Sequence, residues 1–227
     1  MVKNMFDLTP RLRGICDLVL CSETVADIGC DHAYVAITII DEKRAKNVIA
    51  CDIKKGPLKI ADENIKKYEK ENCIKTRLGS GLDPINENEA DTIIIAGMGG
   101  ELIENIIKDN INKAKNTHMI LQPMNSQDTL RHYLIENGFV IEKEDIKTEG
   151  FKVYNILSVK TGKMQPFETE IEYHIPKYLK GHKNYNALFE KKKREFEKVK
   201  NGLEMSKDVD KEKLELYRGL YKELMEL

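Results

Sequence analysis

The chain has no disulfide framework. Its five cysteines, at positions 16, 21, 30, 51 and 73, are odd in number and form no Cys-x-x-Cys pair, which fits reduced thiols and argues against metal ligation by sulfur. His118, His132, His174 and His182 stand at no metal-ligand spacing, so no metal is expected. No apolar stretch nears the roughly 20 residues that span a bilayer. The opening Met1-Val2-Lys3-Asn4 reads as no signal peptide, and a cytoplasmic protein without a membrane partner is expected. Internal repeats and low-complexity segments are missing too. The near-zero net charge of −1 conceals an asymmetry, since residues 177–200 carry nine Lys/Arg against three Glu. A basic segment on an otherwise acidic chain points to a localised anionic partner.

What is present, at 227 residues and 41% hydrophobic, suffices for one α/β domain plus a small appendage. Leu8, Leu12, Ile15, Leu18 and Val19 recur at helical spacing over residues 8–20, with Arg11 and Arg13 on the outer face. For those two arginines a solvated face is the commoner role and a substrate contact the alternative. The run Val25-Ala26-Asp27-Ile28 then breaks at Gly29-Cys30-Asp31-His32-Ala33-Tyr34, as a buried parallel strand hands over to a ligand loop. A helix over 34–43 and a strand over 47–51 follow, the latter tipped by Asp52, 25 residues after Asp27.

Gly56-Pro57 opens a helix that buries Leu58, Ile60, Ala61, Ile65 and Tyr68. Residues 74–79 form a third strand ahead of Gly79-Ser80-Gly81-Leu82, and Asp91–Ala96 reads as a central strand ending in Gly97-Met98-Gly99-Gly100. A helix over 100–108, a strand over 118–122 ending at Gln122-Pro123, and a helix capped by Ser126 complete five β-α units. Phe139–Ile146 and Phe151–Val159, joined at Glu149-Gly150, must pair as an antiparallel hairpin. The expected fold is therefore α/β, with a seven-stranded, mostly parallel, Rossmann-like sheet closed by that hairpin.

Beyond a linker at 161–166 the chain reads as helix. Leu188, Phe196, Val199 and Leu203 make one stripe and Leu214, Tyr217, Tyr221 and Leu224 another, separated by a turn over 205–210. Two such helices form a coiled-coil hairpin. The expected division is a domain over 1–162 and a helical domain over 163–227.

Ligands of open parallel sheets bind outside the carboxyl ends of the strands, where the unusual residues here collect. A dinucleotide needs Gly-x-Gly-x-x-Gly around its pyrophosphate; only Gly29 is present, and Asp31 replaces the second glycine. Carboxylates repel a pyrophosphate but suit a cationic ligand carrying an ammonium, a sulfonium and a ribose, namely S-adenosylmethionine. Asp27 and Asp31 then lie near its amino-acid and sulfonium end, Asp52 holds the ribose diol, and Ser80 sits by the adenine.

The segments Asp27–Tyr34, Gly79-Ser80-Gly81-Leu82, Gly97-Met98-Gly99-Gly100 and Leu121-Gln122-Pro123, with the helical tail, resemble the bacterial tRNA (adenine-22-N1)-methyltransferase family. The resemblance covers nearly the whole chain. It implies a class I methyltransferase fold, S-adenosylmethionine as methyl donor, and N1 of an adenosine in the D-arm of tRNA as acceptor. Cys30 replaces a serine usual in the family, and Ser80 a longer polar residue.

The expected cofactor contacts are Asp27, Gly29, Cys30, Asp31, His32, Asp52, Ile53, Ser80, Gly81, Gly97, Met98 and Gly99. Gly97-Met98-Gly99-Gly100 offers close backbone approach but no carboxamide or ring to activate an exocyclic amine, which a ring nitrogen with its own lone pair does not need. Asp31 is the expected catalytic carboxylate, Tyr34 a stacking ring for an extruded base, and His32 a group that orients Asp31 or meets a phosphate. Arg11, Arg13, Lys180, Lys183, Lys192 and Arg194 are the expected tRNA contacts, with Lys177, Lys191, Lys193, Tyr178 and Tyr185 among them. The competing readings are a nicotinamide oxidoreductase, a non-catalytic RNA-binding protein with a vestigial pocket, and a methyltransferase acting on another nucleotide or a small molecule. A monomer or weak dimer is expected.

Overall fold

The structure is a computed structural model that describes residues 6–206 and 208–227; the opening residues 1–4 and Lys207 of the expected turn lie outside that range. A helix, α1 (Pro10–Leu18), precedes strand β1 (Ser22–Ile28); α2 (Tyr34–Asp41), β2 (Ala45–Asp52), α3 (Lys55–Lys67) and β3 (Ile74–Leu78) follow. Thr9 caps α1 by accepting the Leu12 N–H at 3.4 Å. After β4 (Thr92–Met98) come α4 (Gly100–Asp109), the short α5 (Ile111–Lys115), β5 (His118–Pro123) and α6 (Gln127–Glu136). The hairpin is β6 (Phe139–Glu149) and β7 (Lys152–Thr161).

Strand order in the single sheet is β3-β2-β1-β4-β5-β7-β6, parallel except that β7 runs antiparallel to both neighbours. The order reverses between β1 and β4, which opens a crevice at the carboxyl ends of those two strands. Continuous apolar runs make the central strands, because both faces are covered. Ile93 and Ile95 pack with α4 and α6, while Ile94 packs with α1, α2 and α3.

Several expectations are corrected. Residues 79–91 hold no helix: the chain returns from β3 to β4 through turns, with Leu82 and Ile85 anchoring it in the core. Ile60 is 40% exposed on α3. Ser126 precedes α6 with left-handed backbone (φ 48°), and its side chain makes no capping bond. Phe151, 87% exposed, belongs to the hairpin turn and not to β7. The helix α5 was hidden in a short polar stretch.

The tail adds α7 (Glu170–His174), a 3₁₀ turn at Lys177–Leu179, α8 (Tyr185–Glu204) and α9 (Lys211–Glu226). The last two pack antiparallel: Tyr221 Oη donates to Glu197 at 2.6 Å, and Arg218 reaches Glu204 at 2.9 Å. Leu188, Phe196, Leu220 and Leu224 share one apolar cluster with Ile146 and Val153 of the hairpin, so the tail is docked on the sheet. Arg131 of α6, fully buried, ties the parts together. It pairs with Glu144 of β6 and donates to the Tyr173 carbonyl at 2.6 Å, while Tyr178 donates to Glu144 at 2.8 Å. Among the described residues, no helix is long and apolar enough to cross a membrane.

Candidate active site

The site is built on the loop after β1. The N–H groups of Gly29 and Cys30 both donate to the Cys51 carbonyl, at 2.8 and 3.0 Å, and the Ala33 N–H donates to the Cys30 carbonyl at 2.8 Å. Three residues of this loop adopt left-handed backbone: Gly29 (φ 77°), Asp31 (φ 47°) and Ala33 (φ 59°). Such strain in non-glycine residues is held by surrounding structure and concentrates at functional sites. Gly29 has a second constraint, since a Cβ there would lie 2.6 Å from Cε of Met98. The loop is thus folded back over β2 and packed beneath the end of β4.

Asp27 is the electrostatic centre. It is 4% exposed, and its Oδ2 is buried without a hydrogen-bond partner among the described residues. Burial, with the charge of Asp52 adding to it, pushes its carboxyl up to about 7. A cavity of about 240 Å³ opens beside it, lined by Asp27, Gly29, Cys30, Asp31, His32, Tyr34 and Gly97, with Arg11, Leu12, Val35 and Ala96 completing the wall. An unpaired buried carboxylate oxygen costs free energy unless a donor or cation meets it. A ligand ammonium or sulfonium would do so, and the residues present therefore fit S-adenosylmethionine.

Asp31 and His32 are paired, with His32 Nδ1 2.9 Å from Asp31 Oδ2. The His32 ring lies parallel to that of Tyr34, 5.6 Å between centroids, and Phe6 contacts Tyr34 from 4.7 Å. Tyr34 begins α2 and packs locally while still lining the cavity. Asp52, Ile53, Ser80 and Gly81 do not line this cavity; they stand further along the same edge, at the ends of β2 and β3. The Gly79 N–H donates to the Asp52 carbonyl at 3.0 Å, bringing the 79–81 loop beside Asp52. Met98 and Gly99 likewise lie outside the cavity wall. At the next position, a Cβ on Gly100 would lie 2.2 Å from the Ser126 carbonyl oxygen, so only glycine lets the loops after β4 and β5 touch.

Two expected contacts are reassigned. Arg13 is taken up by Glu42, at 2.5 and 2.8 Å, and by Asp17 at 2.9 Å. Lys192 is 4% exposed, its ammonium held by Gln127 at 3.2 Å and Glu195 at 3.1 Å, so it offers no surface charge. Lys180 is exposed but donates to the Leu227 carbonyl at 2.7 Å, whereas Lys183 and Arg194 are simply exposed.

Arg11 is not a solvated charge. Its Nη1 donates to Gln122 Oε1 at 3.1 Å, its backbone N–H donates to Glu149 at 2.7 Å, and its guanidinium lies 5.6 Å over the Tyr154 ring. Gln122, fully buried, also accepts the Gly97 N–H at 3.2 Å. It was missed as a site residue; the signal was a carboxamide closing an otherwise apolar strand, just before Pro123.

Comparison with known proteins settles the family. A family model described as a methyltransferase domain matches residues 8–157. The tRNA (adenine(22)-N(1))-methyltransferase of Bacillus subtilis is 33% identical over 160 residues, 70% of this chain and 67% of that protein. This chain belongs to the tRNA (adenine-22-N1)-methyltransferase family. The crystal structure of the B. subtilis m1A22 tRNA methyltransferase TrmK superposes with a TM-score of 0.86 at 26% identity, over 97% of this chain and 98% of that one. A Streptococcus pneumoniae protein solved in complex with S-adenosyl-L-methionine superposes with a TM-score of 0.85 at 29% identity, over 97% and 99% of the two chains. The likeness therefore extends through the tail as well as the sheet.

Proposed function

We propose that the protein is an S-adenosylmethionine-dependent tRNA methyltransferase that acts on N1 of adenine 22 in the D-arm. The observation that carries this reading is the buried, unpartnered Oδ2 of Asp27 beside a cavity at the strand-order switch point, in a chain of this family. The same carboxylate would repel the pyrophosphate of a nicotinamide cofactor.

S-adenosylmethionine supplies an electrophilic methyl group on a sulfonium. Asp27 and Asp31 face its cationic end, with Gly29, Cys30, His32 and Gly97 as walls. Asp52 accepts the ribose hydroxyls, Ile53 and the loops at Ser80-Gly81 and Met98-Gly99 bound the adenosine. Asp31, paired with His32, stabilises the charge that develops on adenine when N1 is alkylated, or takes a proton from its amine. Tyr34 offers its ring to the extruded base. Exposed Lys183 and Arg194, with Lys180 and Arg11, grip the RNA. The sheet domain over 1–162 and the tail over 163–227 divide chemistry from grip. Leu188 and Phe196 of α8 share an apolar cluster with Tyr217, Leu220, Tyr221 and Leu224 of α9 within one chain, which supports a monomer or weak dimer, and a tRNA acceptor supports a cytoplasmic enzyme.

The test is transfer of labelled methyl from S-adenosylmethionine to unmodified tRNA, followed by nucleoside mass spectrometry. Label in N1-methyladenosine is the expected result. Cofactor binding with no labelled RNA would leave the pocket standing and remove the acceptor.

A further inference from the structure

A second cavity, of about 280 Å³, lies between the loop after β5 and the tail helices, lined by residues that the methyl-transfer reading does not use. It is much larger than the ~30 Å³ of one water. Its walls include the aromatic rings of Phe196 and Tyr217, the carboxylates of Asp128 and Glu195, the ammonium of Lys192 and the imidazole of His174. His174 is 8% exposed and its Nδ1 makes no hydrogen bond among the described residues, with Asp128 Oδ1 3.5 Å away. Burial pushes that imidazole down to about 4, so the ring is neutral at neutral pH. A buried nitrogen without a partner, in a cavity walled by both donors and acceptors, marks a place for a polar ligand.

The cavity adjoins the site already described. The Met124 N–H donates to the Met98 carbonyl at 2.8 Å and the Gly100 N–H to the Asn125 carbonyl at 3.1 Å. Met124 and Asn125, both exposed, form part of its wall. The lining sets two carboxylates, Asp128 beside His174 and Glu195 on Lys192, against one ammonium that also donates to Gln127, which disfavours a phosphate. It favours a group that offers donors and acceptors on one flat face. Guanine meets that description: its N1–H and amino group suit the Asp128 carboxylate, its O6 and N7 suit Lys192, and its ring suits an aromatic wall.

We propose that this cavity receives an unstacked guanine of the tRNA, a base other than the methylated adenine. The inference rests on the RNA acceptor of the proposed function. The bound guanine fixes the RNA against both the sheet domain and the tail, so the methylated base is presented in one register.

The test has two readouts. First, GMP is titrated into the full-length protein and followed on the His174 imidazole resonances, with AMP and CMP as controls. GMP is expected to move them and the controls are not; Val199→Trp, which fills the cavity, abolishes the response. Second, Asp128→Asn and Val199→Trp are each expected to raise KM for tRNA by on the order of 10-fold, with S-adenosylmethionine affinity unchanged. The Asp128→Asn effect shrinks on transcripts in which inosine, which keeps N1–H but lacks the amino group, replaces guanosine. Efficient tRNA methylation with His174 unmoved by GMP and both variants at wild-type KM would overturn the guanine site and leave the proposed function intact. A GMP response without tRNA methylation would keep the site and remove that function.

Discussion

Asp27 and Asp52 close or nearly close adjacent parallel strands, and the charge of Asp52 adds to burial in pushing the Asp27 carboxyl up to about 7. Affinity for S-adenosylmethionine should therefore rise with pH through about 7 and level off above it, because only the ionised carboxylate attracts the cation. Calorimetry in buffers of different ionisation enthalpy should show proton release on binding below pH 7. Asp27→Asn should flatten the profile and weaken binding.

The same group affects stability with the opposite sense. Between an unfolded value near 3.8 and about 7 in the fold, the native state holds a proton that the unfolded state has lost. Stability conferred by that proton is full below about 4 and declines as pH rises to about 7. Asp27→Asn should stabilise the protein without cofactor at pH 8 by on the order of 2–4 kcal/mol, measured by urea unfolding, and have little effect at pH 4.

Asp31 stands in left-handed backbone beside His32 at the cavity edge. Asp31→Asn should lower kcat by about 10²-fold and, because Asp31 also faces the cationic end of the cofactor, weaken cofactor binding as well. Unaltered kcat would leave Asp31 a loop-shaping residue.

Gln122 Oε1 serves both Arg11 and the Gly97 N–H. Gln122→Leu leaves two donors unpaired at the cavity wall and should cost about 1–3 kcal/mol by thermal unfolding, together with weaker cofactor binding. A variant as stable and as tight-binding as the parent would remove Gln122 from the site.

Arg131 and Glu144 form a fully buried ion pair between α6 and β6. Arg131→Met should destabilise by about 3–5 kcal/mol, because it leaves a buried carboxylate without its cation, and Arg131→Met with Glu144→Leu should recover only part of the loss, since the Tyr178 hydroxyl and the Asn155 amide then lose their acceptor. Chemical denaturation of the three proteins checks this.

Much of this architecture was legible because burial on both faces writes itself as continuous apolar runs, as in Thr92–Ala96, and because Glu149-Gly150 leaves room only for a hairpin. The breaks at Gly29, Asp52 and Gly97 likewise marked the strand ends where the site collects. What remained hidden depends on partners far away in sequence. Arg11 looks solvated until α1 docks against Gln122, 111 residues on. Lys192 looks like one more surface cation until α8 packs on Gln127, and Arg13 finds Glu42 only once α2 is in place. Ser126 carries a capping side chain, but it stands in left-handed backbone where the loops after β4 and β5 meet, and it makes no capping bond.

Reverse-transcription mapping of an unmodified tRNA incubated with the protein and S-adenosylmethionine reads the position of methyl transfer directly. A cofactor-dependent stop at adenine 22 is the expected result, lost when that adenine is replaced by guanine and strongly reduced with Asp27→Asn. Methylation at another position, or a stop at adenine 22 that persists unchanged in Asp27→Asn, would contradict it.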